Sequence, residues 1–110
     1  MNPNPEEEMI KDYVVTRTNW HGIEIEIRWN PDYLTYDDQT RMAHLEVESI
    51  SPKRARLPIT ETGYRSHFTT VEAVQTYVRP EDYVEAWLDQ ASRSPEWRAF
   101  DEAQKQLSLF

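Results

Sequence analysis

The chain has 110 residues, enough for one domain and too short for two ordinary ones, and four Trp, six Tyr and three Phe concentrate its apolar surface in a few large rings that can close a core. A net charge of −8 argues against nonspecific binding of a polyanion, and the absence of cysteine excludes both a disulfide framework and a thiolate metal site. No apolar run approaches the length of a membrane span, and MNPNPEEE lacks the positive start and apolar stretch of a secretory signal, so a cytoplasmic protein without membrane contact is expected.

Residues 1–9, with Pro3, Pro5 and the acids Glu6, Glu7 and Glu8, read as a mobile acidic tail ahead of one domain over residues 10–105. The clearest pattern follows. Ile23, Ile25, Ile27 and Trp29 alternate with Glu24, Glu26 and Arg28, which predicts a strand with one buried and one wet face. The β-branched stretch from Tyr13 to Thr18 and the glycine in Asn19-Trp20-His21-Gly22 make the pair a hairpin. Asn30-Pro31-Asp32 is expected to break the second strand, leaving YLTYDDQT as an ordered loop. A third strand is predicted at Met42–Ser49, with Ala43, Leu45 and Val47 inward and His44, Glu46 and Glu48 outward. SPKRAR reads as a polar turn, and Arg56–Thr60 as a fourth strand confined to an edge by Pro58.

The period then changes. Thr69 with Glu72 fits a capping box, and Val71, Val74 and Val78 share a helical face, predicting a short helix at 70–78. Pro80 suits the first turn of a helix carrying Tyr83, Val84, Trp87, Leu88 and Ala91. Ser94 caps a last helix whose stripe is Trp97, Phe100, Ala103 and Leu107. Strands first and helices after predict an α+β domain: an antiparallel sheet of three to four strands, followed by two to three helices packed on one face.

Few chemical motifs are present. With Gly22 and Gly63 the only glycines, no glycine-rich phosphate loop can form, and no G-x-S-x-G elbow occurs, so no catalytic residue is assigned and a non-enzymatic protein is expected. His44 and Glu46 form an H-x-E pair on one strand face, but no third ligand is placed by the pattern, and neither a metal nor a cofactor is expected. Between the predicted edge strand and the first helix, Thr60, Glu61, Thr62, Tyr64, Arg65 and His67 crowd a loop, a candidate binding site. Its structural alternative has Gly63 turning the chain and Glu61 pairing with Arg65; its enzymatic one has Glu61, Arg65 and His67 around a pocket. Lys53, Arg54 and Arg56 form the one basic cluster, which reads as a solvated turn, so direct nucleic-acid contact is not expected. The acids Glu6, Glu7, Glu8, Glu24, Glu26, Glu46 and Glu48 offer the opposite reading, a mimic of a phosphate track.

The chain closes on Gln106-Leu107-Ser108-Leu109-Phe110, and at every position this peptide resembles the motif by which bacterial polymerases and repair factors bind the DNA sliding clamp. The resemblance implies a partner and no fold: Gln106 for a polar subsite, Leu107, Leu109 and Phe110 for an apolar cleft, and Ser108 where a small residue is needed. Residues 12–100, especially WHGIEIEIRWNPDYL and LPITETGYRSHF, resemble small uncharacterised proteins of bacterial plasmids and mobile elements. Together these imply a bacterial adaptor or regulator on the clamp, with a protein- or ligand-binding module at the 60–68 loop as the alternative. If the last helix runs on, Leu107 and Phe110 are buried in the core; if it stops near Lys105, the peptide is a handle. Oligomeric state is left open, because exposed edge strands can pair between chains.

Overall fold

The computed structural model describes residues 13–108. Four strands, β1 (Val14–Trp20), β2 (Ile23–Thr35), β3 (Arg41–Ser51) and β4 (Tyr64–Thr70), form one antiparallel sheet in the order β1-β2-β3-β4. Three helices follow, α1 (Val71–Gln75), α2 (Pro80–Ala91) and α3 (Pro95–Leu107), so the α+β expectation holds. The expected tail at 1–9, Leu109 and Phe110 lie outside the described residues.

The hairpin forms as its sequence requires. His21 and Gly22 both have positive φ, 51° and 86°, the geometry of a two-residue type I′ turn, and Asn19 Oδ1 accepts from Gly22 N at 3.1 Å. Strand alternation then sends Ile25, Ile27 and Trp29 of β2 and Ala43, Leu45 and Val47 of β3 to one face, where Val71, Val74, Val84, Leu88 and Trp97 close over them.

Three elements differ from expectation. β2 does not stop at Pro31. Asn30 pairs with His44 and Leu34 with Met42, so Pro31, Asp32 and Tyr33 bulge opposite Ala43; a bulged residue owes the ladder no N–H, which makes Pro31 tolerable there. The fourth strand is Tyr64–Thr70 rather than Arg56–Thr60. Leu57 and Thr60 exchange backbone bonds of 2.9 and 3.0 Å with each other, a tight turn about Pro58 that plugs Leu57 under the sheet. β4 carries no strand signature in the sequence because it is an edge strand whose two faces, Tyr64-Ser66-Phe68 and Arg65-His67-Thr69, show no apolar contrast. Finally, α1 is shorter than predicted and is capped by Thr70, whose Oγ1 accepts from Ala73 N, rather than by Thr69. Val78 lies past its end, exposed and at φ 65°.

Gly63 sets how β4 enters the sheet. Its φ is 79°, and a Cβ there would meet the Arg54 backbone at 2.6 Å, so only glycine fits between the 52–55 turn and the strand. Its carbonyl accepts from Ser49 N at 2.8 Å, which fixes the β3–β4 register.

Candidate functional site

The crowded 60–68 segment folds as a turn joined to a strand, and this splits its residues. Thr60, Glu61 and Arg65 line an open groove of about 550 Å³ together with Arg56, Ser94 and Glu96. Glu61 pairs with Arg56 at 3.6 Å rather than with Arg65. The Arg56 guanidinium lies 4.4 Å over the Phe100 ring, and that of Arg65 lies 5.9 Å from Trp87. Thr62 and Tyr64 border a second hollow beside Glu48 and Arg54, and Tyr64 lines the groove as well. His67 points elsewhere: its Nε2 is 3.1 Å from the Tyr83 hydroxyl and its ring 4.5 Å from Trp87. Burial lowers its pKa, and the charge of Arg65 adds to this. The Glu61, Arg65 and His67 trio is therefore not assembled around one pocket.

A second surface is the sheet face that no described helix covers. Arg28 stands at its centre, with Nη1 2.5 Å from Glu26 and Nη2 3.0 and 3.1 Å from Glu46 and Glu48. Burial works against its charge, but its hydrogen bonds to Glu48, Glu46 and Glu26 outweigh that and raise its pKa. Arg17 ties Glu24 and Glu26 at 3.0 and 3.3 Å. Two guanidiniums thus interrupt the carboxylates of Glu24, Glu26, Glu46 and Glu48, which sequence alone presents as an acidic track.

His44 does not face water as the alternation implies. It is only 7% exposed, because the 31–33 bulge carries Tyr33 over it and the rings of Tyr13 and Phe68 close the sides. Its Nδ1 lies 2.6 Å from the Tyr13 hydroxyl and its Nε2 2.6 Å from Ser66 Oγ. Burial lowers its pKa, so the neutral imidazole joins two hydroxyls as acceptor to one and donor to the other. With both nitrogens engaged and Glu46 3.9 Å away, the H-x-E pair offers no open metal site, and no group of three ligating side chains occurs among the described residues. The pairings Tyr13–His44 and His44–Ser66 span 31 and 22 residues of sequence, and no local spacing announces them.

The last helix supplies the third region. Ser94 Oγ accepts from Trp97 N at 3.1 Å, as expected of the cap, and Trp97 is buried at 9% exposure. The stripe then leaves the core: Phe100 is half-buried, Ala103 is exposed, and Leu107 is 67% exposed. The helix runs past Lys105 to Leu107, and Ser108 ends it by donating its N–H to Gln104 O and its hydroxyl to Lys105 O. Gln106, Leu107 and Ser108 are therefore a helix terminus in water, and continued helix does not bury Leu107.

A family model described as the KlcB third domain matches residues 13–97, from the first strand to the first turn of α3. The chain belongs to this family. No curated protein and no solved structure matches it. KlcB third-domain membership fits the resemblance to plasmid proteins and a plasmid-associated accessory protein. The matched region spans both sheet faces and the groove and ends before Gln106. Among the described residues, no helix is long and apolar enough to cross a membrane.

Proposed function

We propose that this KlcB third-domain protein is a non-enzymatic bacterial adaptor or regulator that docks on the DNA sliding clamp through Gln106, Leu107, Ser108, Leu109 and Phe110. The supporting observation is Leu107, the one large apolar residue of the α3 stripe that the domain leaves in water. A clamp peptide binds extended, so the last turn of α3 must open. Terminal turns open at little free-energy cost, and the bonds that end this one, from Ser108 to Gln104 and Lys105, lie within the helix itself. A titration of purified clamp with the full chain, with a chain lacking 106–110, and with Leu107→Ala tests the reading. Binding by the full chain alone supports it, and equal or absent binding in all three removes it.

A second reading is favoured by the groove at Thr60, Glu61 and Arg65. There the domain binds a small ligand or another protein, and Arg65→Ala abolishes binding while the 106–110 deletion leaves it intact.

A further inference from the structure

The two outer edges of the sheet are finished differently. The hairpin turn makes Trp20 and Ile23 the closing hydrogen-bonded pair, so Val14, Thr16 and Thr18 also bond to β2, and the backbone groups of Val15, Arg17 and Asn19 point away from the sheet. On the far side, the bond from Ser49 N to Gly63 O sets the opposite phase, and Tyr64, Ser66 and Phe68 point outward from β4. That second edge is guarded. The outward carbonyl of Tyr64 accepts from the hydroxyls of Thr60 and Thr62 at 2.8 and 3.3 Å, and the 56–61 turn stands beside it.

β1 has no such guard among the described residues. It carries no proline, lysine or bulge of the kind that blunts an edge. It presents Val14 and Val15, 57% and 53% exposed, one to each face of the sheet. One further oddity lies at its middle: Thr16 Oγ1 is buried without a hydrogen-bond partner.

We infer that β1 is the dimer interface of this protein, pairing antiparallel with β1 of a second copy about a two-fold axis at Thr16. In this register Val15 and Arg17 each exchange both backbone bonds with Arg17 and Val15 of the second copy, and the two four-stranded sheets become one. Thr16 meets Thr16 of the second copy as a non-hydrogen-bonded pair, the closer of the two antiparallel spacings, and a χ1 step turns each orphaned hydroxyl toward the other. Val14 packs beside Thr18 of the second copy on the helix side, and Val15 lies under the Arg17 stem on the open side. Shifting the axis to Arg17 would set the two guanidiniums opposite each other, which disfavours that register. The pairing stands apart from clamp docking and from the groove, because neither uses β1.

The chain contains no cysteine, so a single Thr16→Cys reports the axis directly. The protein should sediment as a concentration-dependent dimer, and Thr16→Cys should cross-link under mild oxidation far faster than Val14→Cys, whose copies sit off the axis. Val15→Pro removes an outward N–H that β2 does not use and should leave a monomer with an intact fold. Val15→Lys opposes Arg17 of the second copy and should weaken dimerisation about tenfold or more, whereas Val15→Glu should not. A wild-type chain monomeric at about 100 μM, well above the Kd of a useful interface, overturns the proposal. So does equal cross-linking of the two cysteine variants. Circular dichroism and melting of each variant separate lost pairing from lost folding.

Discussion

From the same two strands, β2 and β3, the sheet presents Ile25, Ile27, Trp29, Ala43, Leu45 and Val47 to its helices and Glu24, Glu26, Arg28, His44, Glu46 and Glu48 to the other side. The first set is held by area removed from water, a force without direction in which any well-fitting apolar neighbour serves. The second is held by named partners at fixed angles: one guanidinium for three carboxylates, one imidazole for two hydroxyls. Apolar area stabilises the domain, and directional pairs decide what its open face can recognise. The two faces should therefore fail differently when a residue is removed.

The largest expected loss is on the covered face. Leu45 is fully buried at the centre of β3, and Leu45→Ala should cost about 2–5 kcal/mol through lost transfer energy and the cavity left behind. Differential scanning calorimetry should show the Tm fall by more than about 10 °C. A drop of only a degree or two would mean that the core is not where the alternation puts it.

That face was legible in the sequence for the reason that makes it fragile: Ile23 to Trp29 and Ala43 to Val47 repeat at the strand period, and Val84 with Leu88 repeat at the helical one. The open face was legible in its membership, with Glu24, Glu26, Arg28, Glu46 and Glu48 outward as the alternation requires, but not in its pairing. His44 lies at an outward position and is buried only because Pro31, Asp32 and Tyr33 bulge and drop an aromatic ring on it. The candidate loop was half legible: Thr60, Glu61, Tyr64 and Arg65 do share a groove, but a strand period through Tyr64 to Thr70 sends His67 to the helices, and the Tyr64 hydroxyl donates to Glu46 at 3.1 Å. Long-range polar partners leave no periodic trace, so sequence spacing has nothing from which to infer them.

On the open face, Arg28→Met keeps the stem and removes the charge, leaving Glu26, Glu46 and Glu48 to repel one another. The cost should be about 1–3 kcal/mol, below that of a core truncation because the group is 22% exposed and partly screened by water. Urea midpoints compared between wild type and variant at low salt and at about 1 M salt, where the screening length falls to about 3 Å, test it. Salt screens the repulsion, so the gap should narrow as its concentration rises. A gap that stays constant would mean that Arg28 contributes packing alone.

A smaller effect belongs to the histidines. Burial lowers the pKa of both His44 and His67, so the unfolded chain, whose imidazoles titrate near pH 6.5, takes up protons before the folded one does. Stability is complete above about pH 6.5 and falls as the pH drops below it, in a window where carboxylates are still ionised. Denaturant midpoints should decline between about pH 7.5 and 5.5, and His44→Phe should flatten part of that decline, with His67 supplying the remainder. A midpoint that rises on acidification in the wild type would contradict the burial of both rings.

The smallest expected effect is at the far end of α3, where neither means of cohesion operates. Leu107 has no core to enter and Ser108 bonds only to its own helix, so at 106–108 the deletion of 106–110 removes little that the domain uses. The Tm should move by no more than about 2 °C, the shift that a few tenths of a kcal/mol gives in a domain of this size. The sheet and helices should keep their circular dichroism. A fall of several degrees would place Leu109 and Phe110 against the domain, and clamp docking would then have to pull them away at a cost in affinity. An unmoved Tm together with lost clamp binding would separate the shape, held by the sheet and by the helices as far as Phe100, from the partner role proposed for the last turn of α3.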